Sequence, residues 1–363
     1  MRATPAWLSF VALPLLNVTL AFAIAGCIVW LVGEDPVRAL DLLVLGAFGS
    51  QEAIGYTLYY ATSLIFAGLA VAIAFHAGLF NIGGEGQAYV GGLGVTLVVL
   101  ALDDSVPGVL LIPLAIVAGA ACGALWGFVP GYLQARRGSH IVITTIMFNF
   151  LASAMMVYLV VNVLIMPGQM TPHSREFAGV AWLPFAHDLA ASVGLQMESS
   201  PLNASLLLAL ASCLVFWVFV WHTRWGYALR AVGHAAPAAA YAGIDTGRVV
   251  MGAMALSGAL AGLLAVNALM GVTHRLMLDF TDGFGFTGIA VALMGRNHPV
   301  GIVAAALLFG MLYQGGAELA FDMPAISRDL VVVIQGLVIL FSGALEQMLR
   351  RPLERAFAWA ASS

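Results

Sequence analysis

The stretch from Ser105 to Ala135, SVPGVLLIPLAIVAGAACGALWGFVPGYLQA, contains no charged residue. It is long enough to supply the roughly 20 apolar residues that cross a ~30 Å hydrocarbon core. It also sets Gly119, Gly123, Gly127 and Gly131 at a strict spacing of four. Small residues on one helical face let backbones approach closely, which is how helices associate once lipid has removed the hydrophobic incentive. The stretch therefore predicts a membrane helix with a built-in packing face, and Gly258 and Gly262 repeat the spacing on a later segment. Such a face is common to channels, transporters and membrane enzymes and selects none of them.

Working outward, the same absence of charge recurs over 3–33, 53–84, 138–174, 199–223 and 249–274, with shorter runs at 86–102, 283–295, 297–317 and 330–345. The expected fold is an all-α polytopic membrane protein of about ten transmembrane helices, some of them broken at glycine. They are placed near 8–33, 55–76, 86–102, 106–133, 141–166, 203–222, 249–271, 284–296, 299–317 and 329–346. Composition agrees. The chain is 62% apolar and 9% charged, with a mean hydropathy of +0.98, whereas a soluble globule carries about 25% charged residues. All fourteen basic residues are arginine. Without a lysine there is neither a Walker A phosphate contact nor a Schiff base, so any ATP would be hydrolysed by another chain. A net charge of −4 gives no electrostatic footprint for nucleic acid. Cys27, Cys122 and Cys213 all fall in apolar runs and read as packed thiols.

With the N-terminus inside, ten arginines fall on the cytoplasmic side (Arg2, Arg136, Arg137, Arg224, Arg230, Arg248, Arg296, Arg350, Arg351 and Arg355), against Arg38, Arg175, Arg275 and Arg328 outside. That asymmetry obeys the positive-inside rule. Ile24-Ala25-Gly26-Cys27 has the look of a lipoprotein cleavage box, but the apolar run is longer than a signal core and continues past the cysteine, so the first segment is kept as a span. On this threading 167–202 is an external loop, 223–248 a cytoplasmic loop and 346–363 a cytoplasmic tail. The loop 167–202 is of a length that is usually functional or disordered. The loop 223–248 reads as two short helices: Gly233 interrupts the first, Pro237 suits a first helical turn and Gly243 suits a C-terminal cap. Alanine-rich and weakly charged, it suits a protein partner better than a lipid surface, for which it lacks a basic face.

Within the spans, Asn17, Thr144, Thr145, Asn149, Asn162, Asn267, Gln314 and Gln335 are polar but uncharged. No charge sits near the middle of a clear span, which disfavours proton-coupled carriers. The most unusual local feature is Gly78-Leu79-Phe80-Asn81-Ile82-Gly83-Gly84-Glu85-Gly86-Gln87. Gly83, Gly84 and Gly86, set among Asn81, Glu85 and Gln87, cannot form a regular lipid-facing helix, so the freed backbone groups must be satisfied at a pore or a mouth. A second glycine-broken stretch occupies 283–301. Paired interruptions point to duplicated architecture, two pseudo-repeated halves with the pathway between them. Enzyme readings fail: among the eight histidines there is no HExxH pair, and no GxSxG elbow exists.

These residues resemble the membrane permease subunits of bacterial ABC importers for branched-chain amino acids, simple sugars and nucleosides. The glycine-rich stretch 78–87 resembles the signature after that family's second span. Residues 226–233, Gly-Tyr-Ala-Leu-Arg-Ala-Val-Gly, followed by Ala239-Ala240-Tyr241-Ala242-Gly243-Ile244, resemble its cytoplasmic coupling loop. The stretch 285–296 and Thr144-Thr145-Ile146-Met147-Phe148-Asn149 resemble the nucleoside, or purine, branch most. Ala236 departs from the family, which often has Asn there, and this weakens an N-cap. The resemblance runs over about 55–345 of what is expected to be a single transmembrane permease domain.

It implies a non-catalytic pathway subunit in a bacterial inner membrane, with both termini cytoplasmic. The expected partners are two cytoplasmic ATPase subunits that bind ATP-Mg, a second related permease in a heterodimer, and an external substrate-binding protein or lipoprotein. No cofactor is expected in this chain. Tyr227, Arg230, Gly233, Ala239, Tyr241, Gly243 and Ile244 would form the ATPase-coupling surface. Asn81, Glu85, Gln87, Thr144, Asn149 and Asn267 are the candidates for pathway or gate. The cargo expected is a nucleoside or purine. Simple sugars or branched-chain amino acids carried by the same machinery, and a proton-coupled secondary carrier, stand as alternatives.

Overall fold

A computed structural model of the protein describes residues 13–343. Arg2, Arg350, Arg351, Arg355, the tail 346–363, the start of the first expected span and the end of the last lie outside the described residues. Among the described residues the fold is helical, with no strand and only two isolated bridges, His173 with Met277 and Phe185 with Asn203. The α-helices, in chain order, are α1 (Leu13–Leu31), α2 (Pro36–Phe48), α3 (Gln51–His76), α4 (Gly84–Leu102), α5 (Gly108–Arg137), α6 (Ile141–Leu159), α7 (Ala186–Ser192), α8 (Ser205–His222), α9 (Arg224–Tyr241), α10 (Thr246–Ala265), α11 (Phe284–Met294), α12 (Pro299–Asp322) and α13 (Arg328–Gly343). Helix α6 runs on into a π-helical turn, Val160–Leu164, and α10 into another, Val266–Thr273.

Seven helical stretches are long and apolar enough to cross a membrane: Gln51–His76, Gly84–Leu102, Gly108–Arg137, Ile141–Leu164, Ser205–His222, Thr246–Thr273 and Pro299–Asp322. Leu16–Leu31 and Phe284–Met294 are apolar but shorter. Each of the ten expected segments overlaps a helix within the described residues, but only seven of the ten are long and apolar enough to cross. Helix α2 was not foreseen, because Arg38 and Asp41 end every uncharged run there. It starts on Pro36 after an N-cap in which the Asp35 carboxylate accepts from the Val37 N–H at 2.9 Å, the position proline favours.

The chain forms two compact units, one of Met1–Thr57 with Leu308–Ser363 and one of Leu58–Leu307. In the first, α2 and the end of α12 touch at glycine: a Cβ on Gly315 would collide with the Leu43 carbonyl, and one on Gly46 with the Glu318 side chain. The second is centred on α4, α5 and α10, where the expected glycine face is realised. A Cβ on Gly123 would strike the Gly258 carbonyl oxygen, one on Gly258 the Gly123 carbonyl, one on Gly262 the Gly119 carbonyl, and one on Gly127 the Met254 carbonyl. Backbone therefore lies on backbone from Gly119 to Gly127, about two turns of α5. Across α4, a Cβ on Gly91 would collide with the Gly262 Cα. The three helices interlock as small-residue packing requires.

Candidate functional site

The glycine-rich stretch 78–87 leaves α3 at His76 and enters α4 at Gly84, so residues between them have no helical ladder. Buried backbone groups must then find other partners, and amide side chains from several helices supply them. The Asn81 Oδ1 accepts from the Gly83 N–H at 2.8 Å, while its Nδ2 donates to the Gln87 Oε1 at 3.0 Å and to the Ser257 hydroxyl of α10 at 2.7 Å. Ser257 in turn donates to the Ala70 carbonyl of α3. From α6, the Asn149 Nδ2 donates to the Ile82 carbonyl at 2.8 Å and its Oδ1 accepts from the Gly86 N–H at 2.9 Å. Asn81, Gln87 and Asn149 are all buried. The result is a hub that ties α3, α4, α6 and α10 through amides rather than charges.

Glu85 closes the fourth side. One carboxylate oxygen accepts from the Thr281 hydroxyl and the other from the Gly285 N–H at 2.9 Å. A Cβ on Gly285 would collide with the Glu85 backbone, and one on Gly84 would press on the Gly285 carbonyl at 3.1 Å. The two glycine-broken stretches picked out from the sequence, 78–87 and 283–301, thus meet backbone to backbone. One turn further along α4, the Tyr89 hydroxyl donates to Asp279 Oδ1 at 2.9 Å.

Four of the six expected gate residues, Asn81, Glu85, Gln87 and Asn149, come together in this hub. Two do not. Thr144 spends its hydroxyl on the His140 carbonyl of its own helix, and its neighbour Thr145 is the buried one, facing Gly83. Asn267 sits in the π-helical turn, 1% exposed, with its full hydrogen-bonding capacity met. Its Oδ1 accepts from Asn203 and Ser205, and its Nδ2 donates to the Tyr59 carbonyl and to Ser63. The sequence reading missed Ser257, Thr281 and Tyr89. Ser257 stands beside Gly258 in the packing face, and that proximity was the only available signal.

The second region of interest is α9. Thr223 caps it, accepting from the Gly226 N–H at 3.0 Å. Gly226 lies so close to α8 that a Cβ would collide with the Phe219 and Val220 carbonyls. The expected pair of short helices is present, but the break falls at Ala235 (φ −157°, ψ 86°) and not at Gly233. Proline explains this, because the Pro237 ring would clash with the carbonyl four residues back, at Gly233, in an unbroken helix. Gly233 serves close approach instead: a Cβ there would collide with the His76 carbonyl and press on Gly78. The α9 element therefore rests on the root of the glycine hub. Gly243 ends the second half as expected, at φ +84°, with its N–H bonded to the Ala240 carbonyl and the Ile244 N–H to the Ala239 carbonyl, both at 3.0 Å. That pairing is the double hydrogen bond of a glycine-terminated helix. From His234 to Gly243 every residue except Ala239 is exposed, and Tyr241 is 97% exposed.

A carboxylate, amides and hydroxyls without a nucleophile–base pair can hold and orient, and among the described residues no cluster of metal-ligating side chains occurs. Comparison with known proteins gives the arrangement its setting. The sequence pattern of one family, described as the permease component of branched-chain amino acid transport systems, matches residues 53–343. The chain belongs to this permease family. Among its relatives, a glucose ABC transporter permease, TsgB13 of Haloferax volcanii, is 36% identical over 94% of this chain and 88% of its own length. A guanosine ABC transporter permease, NupP of Bacillus subtilis, is 36% identical over 92% of this chain and 93% of its own. A nucleoside ABC transporter permease, NupB of Lactococcus lactis, is 33% identical over 91% and 90%. No solved structure matches the chain. The chain is a multi-pass membrane permease, and its family and these relatives are transport permeases rather than enzymes. Membership implies separate ATPase and substrate-binding partners.

Proposed function

We propose that this permease forms the translocation pathway of an ATP-driven importer for nucleosides. Ten crossings, cytoplasmic termini, a bacterial inner membrane and two pseudo-repeated halves complete the reading. Its domain plan is one transmembrane domain with 167–202 outside and 223–248 and 346–363 inside. The meeting of the two glycine-broken stretches at Gly84 and Gly285 supports the repeat, since broken segments in both halves converge on the pathway in duplicated transporters.

The observation that carries the mechanism is the uncharged, exposed half-helix 236–241, mounted through Gly233 on the root of the hub. Tyr227, Arg230, Ala239, Tyr241, Gly243 and Ile244 would dock it against the ATPase. Closure of two ATPase subunits around ATP-Mg would push on this lever and swing the spans between inward-open and outward-open states, a rigid-body coupling of one site to another. A second, related permease completes the pathway, in line with the paired guanosine permeases NupP and NupQ of Bacillus subtilis. Asn81, Glu85, Gln87 and Asn149 then stand at the gate, with Thr144 and Asn267 at its margin.

Nucleoside cargo is supported by the guanosine and nucleoside permeases among the relatives. The glucose permease, at the same 36% identity as the guanosine permease, keeps a simple sugar as the second reading. Uptake of radiolabelled guanosine and glucose by vesicles carrying the complete importer decides both points. We expect guanosine uptake that needs ATP and survives a proton ionophore. Uptake abolished by the ionophore with ATP and ATPase intact would mean a secondary carrier. Ala235→Cys in a cysteine-free background should react with an impermeant thiol reagent only from the cytoplasmic side.

A further inference from the structure

The turn that feeds α11 is strained. Asp279 (φ 57°) and Asp282 (φ 46°) both adopt the left-handed conformation, followed by Gly283 at φ +73°. Non-glycine residues held there cost free energy and persist only where the surroundings over-determine them. Two side chains of α4 do so here, Tyr89 through Asp279 and Glu85 through Thr281. Glu85 reaches further, to the Gly285 N–H in the first turn of α11. Phe284, Phe286 and Thr287 bond back to the Thr281 and Gly283 carbonyls. The early N–H groups of α11 are therefore all satisfied, one of them by a carboxylate from a different helix. Helix starts favour negative charge, and none of the ion pairs among the described residues involves Glu85.

We propose that Glu85 is a positioning residue whose carboxylate, lent by α4, caps α11 and pins its strained turn, so that α4 and α11 move as one piece during transport. This deepens the importer reading above and rests on it. It also changes the role of Glu85 from a pathway-lining group to a clamp. At 7% exposed with both oxygens engaged by the protein, the carboxylate is committed to the fold.

A glutamine can keep both bonds, since its oxygen accepts from Gly285 and its amide donates to the Thr281 hydroxyl. Alanine keeps neither. The test uses the complete importer in proteoliposomes and reads cargo moved per ATP hydrolysed, a coupling ratio that a loss of folded protein alone does not change. Glu85→Ala is expected to lower the ratio about tenfold while ATP hydrolysis persists, and Glu85→Gln to stay within about threefold of the parent. An alanine variant that couples like the parent overturns the proposal, and so does a glutamine variant as defective as alanine, which would mean that the charge itself meets cargo or proton. If Glu85→Ala does not assemble, Thr281→Val removes one bond and should lower the ratio about threefold; an unchanged ratio there overturns it too. A parent complex with no ATP-dependent uptake would instead defeat the importer reading and is told apart by that control.

Discussion

The connections 167–202 and 223–248 both read from the sequence as loops between spans, yet they are held in opposite ways. The first is stapled down. Arg175 grips Asp103 at the end of α4 with both guanidinium nitrogens, at 2.6 and 2.8 Å, and also donates to the Leu100 carbonyl at 2.9 Å, one of the carbonyls a helix end leaves free. The Ala178 N–H adds a further bond to Asp103. Phe177 and Leu183 bond to the His274 and Met270 carbonyls, and Trp182 stacks on His274 at 4.0 Å. The second connection is seated through Gly226, Leu229, Val232 and Gly233, and in its outer half, 234–243, every residue but Ala239 is exposed. A loop that satisfies its own bonds is a finished surface. One that leaves a tyrosine and a row of alanines in the open is the surface that the proposed docking would cover.

The largest expected effect tests the bare region. Tyr241→Glu places a charge where an apolar contact is expected, and buried tyrosines at interfaces cost about 2–4 kcal/mol when lost. Co-purification of the ATPase should fall by at least about tenfold while the chain inserts normally. Arg230, whose buried Nε has no hydrogen-bond partner, should behave alike as Arg230→Glu. A full complex retained by both variants would remove the difference between the two loops.

The stapled region should yield to the loss of a single carboxylate. The Asp103 side chain is 1% exposed against 35% for Arg175, and the guanidinium beside it holds its carboxyl below the usual aspartate range. Because the folded value is depressed, the stabilisation is present above about pH 3.9 and is lost only as pH falls through the folded value. Limited proteolysis of 167–202 should therefore be flat from neutral pH down to about pH 5 and rise below about pH 4. Asp103→Asn should open the loop at neutral pH, at a cost of about 1.5–3 kcal/mol. Equal protease resistance in the variant would show that the bridges and stacking suffice.

What the sequence made legible follows from range. Spans depend on local composition, and the glycine face on a fixed spacing, so both were readable, and the partners of Gly123 and Gly258 proved to be each other. Family membership was readable because motifs are local. The surroundings of Asn267 were hidden for the opposite reason: its four bonds come from Asn203, Ser205, Tyr59 and Ser63, which only folding brings together. Gly233 was taken for a helix break when it is a close contact, since a glycine in sequence does not reveal whether it bends its own chain or admits another. The Asp103–Arg175 staple, 72 residues apart in the chain, left no local trace at all.

The smallest effect concerns the seam between the stapled loop and the π-helical turn. His274 closes that turn in the left-handed conformation (φ 50°), with Trp182 stacked on its face and Phe185 at its edge. Burial holds its imidazole below the ordinary histidine value, and Arg275 reinforces this while Glu176 opposes it. A depressed histidine means that the folded seam prefers the neutral ring. Its stabilisation is complete above about pH 6.5 and drains away as pH falls through the folded value. Hydrogen exchange at the Phe177 and Leu183 amides, corrected for intrinsic rate, should thus quicken a few-fold in mild acid, well before Asp103 titrates. His274→Asn tolerates the backbone conformation but loses both stack and charge, so exchange should be faster at neutral pH by about 0.5–1.5 kcal/mol and flat through mild acid. His187→Asn, which leaves Trp182 stacked, serves as control. If the acid response survives in His274→Asn, His274 is not its source, and the seam is held by Trp182 and the backbone pairing alone.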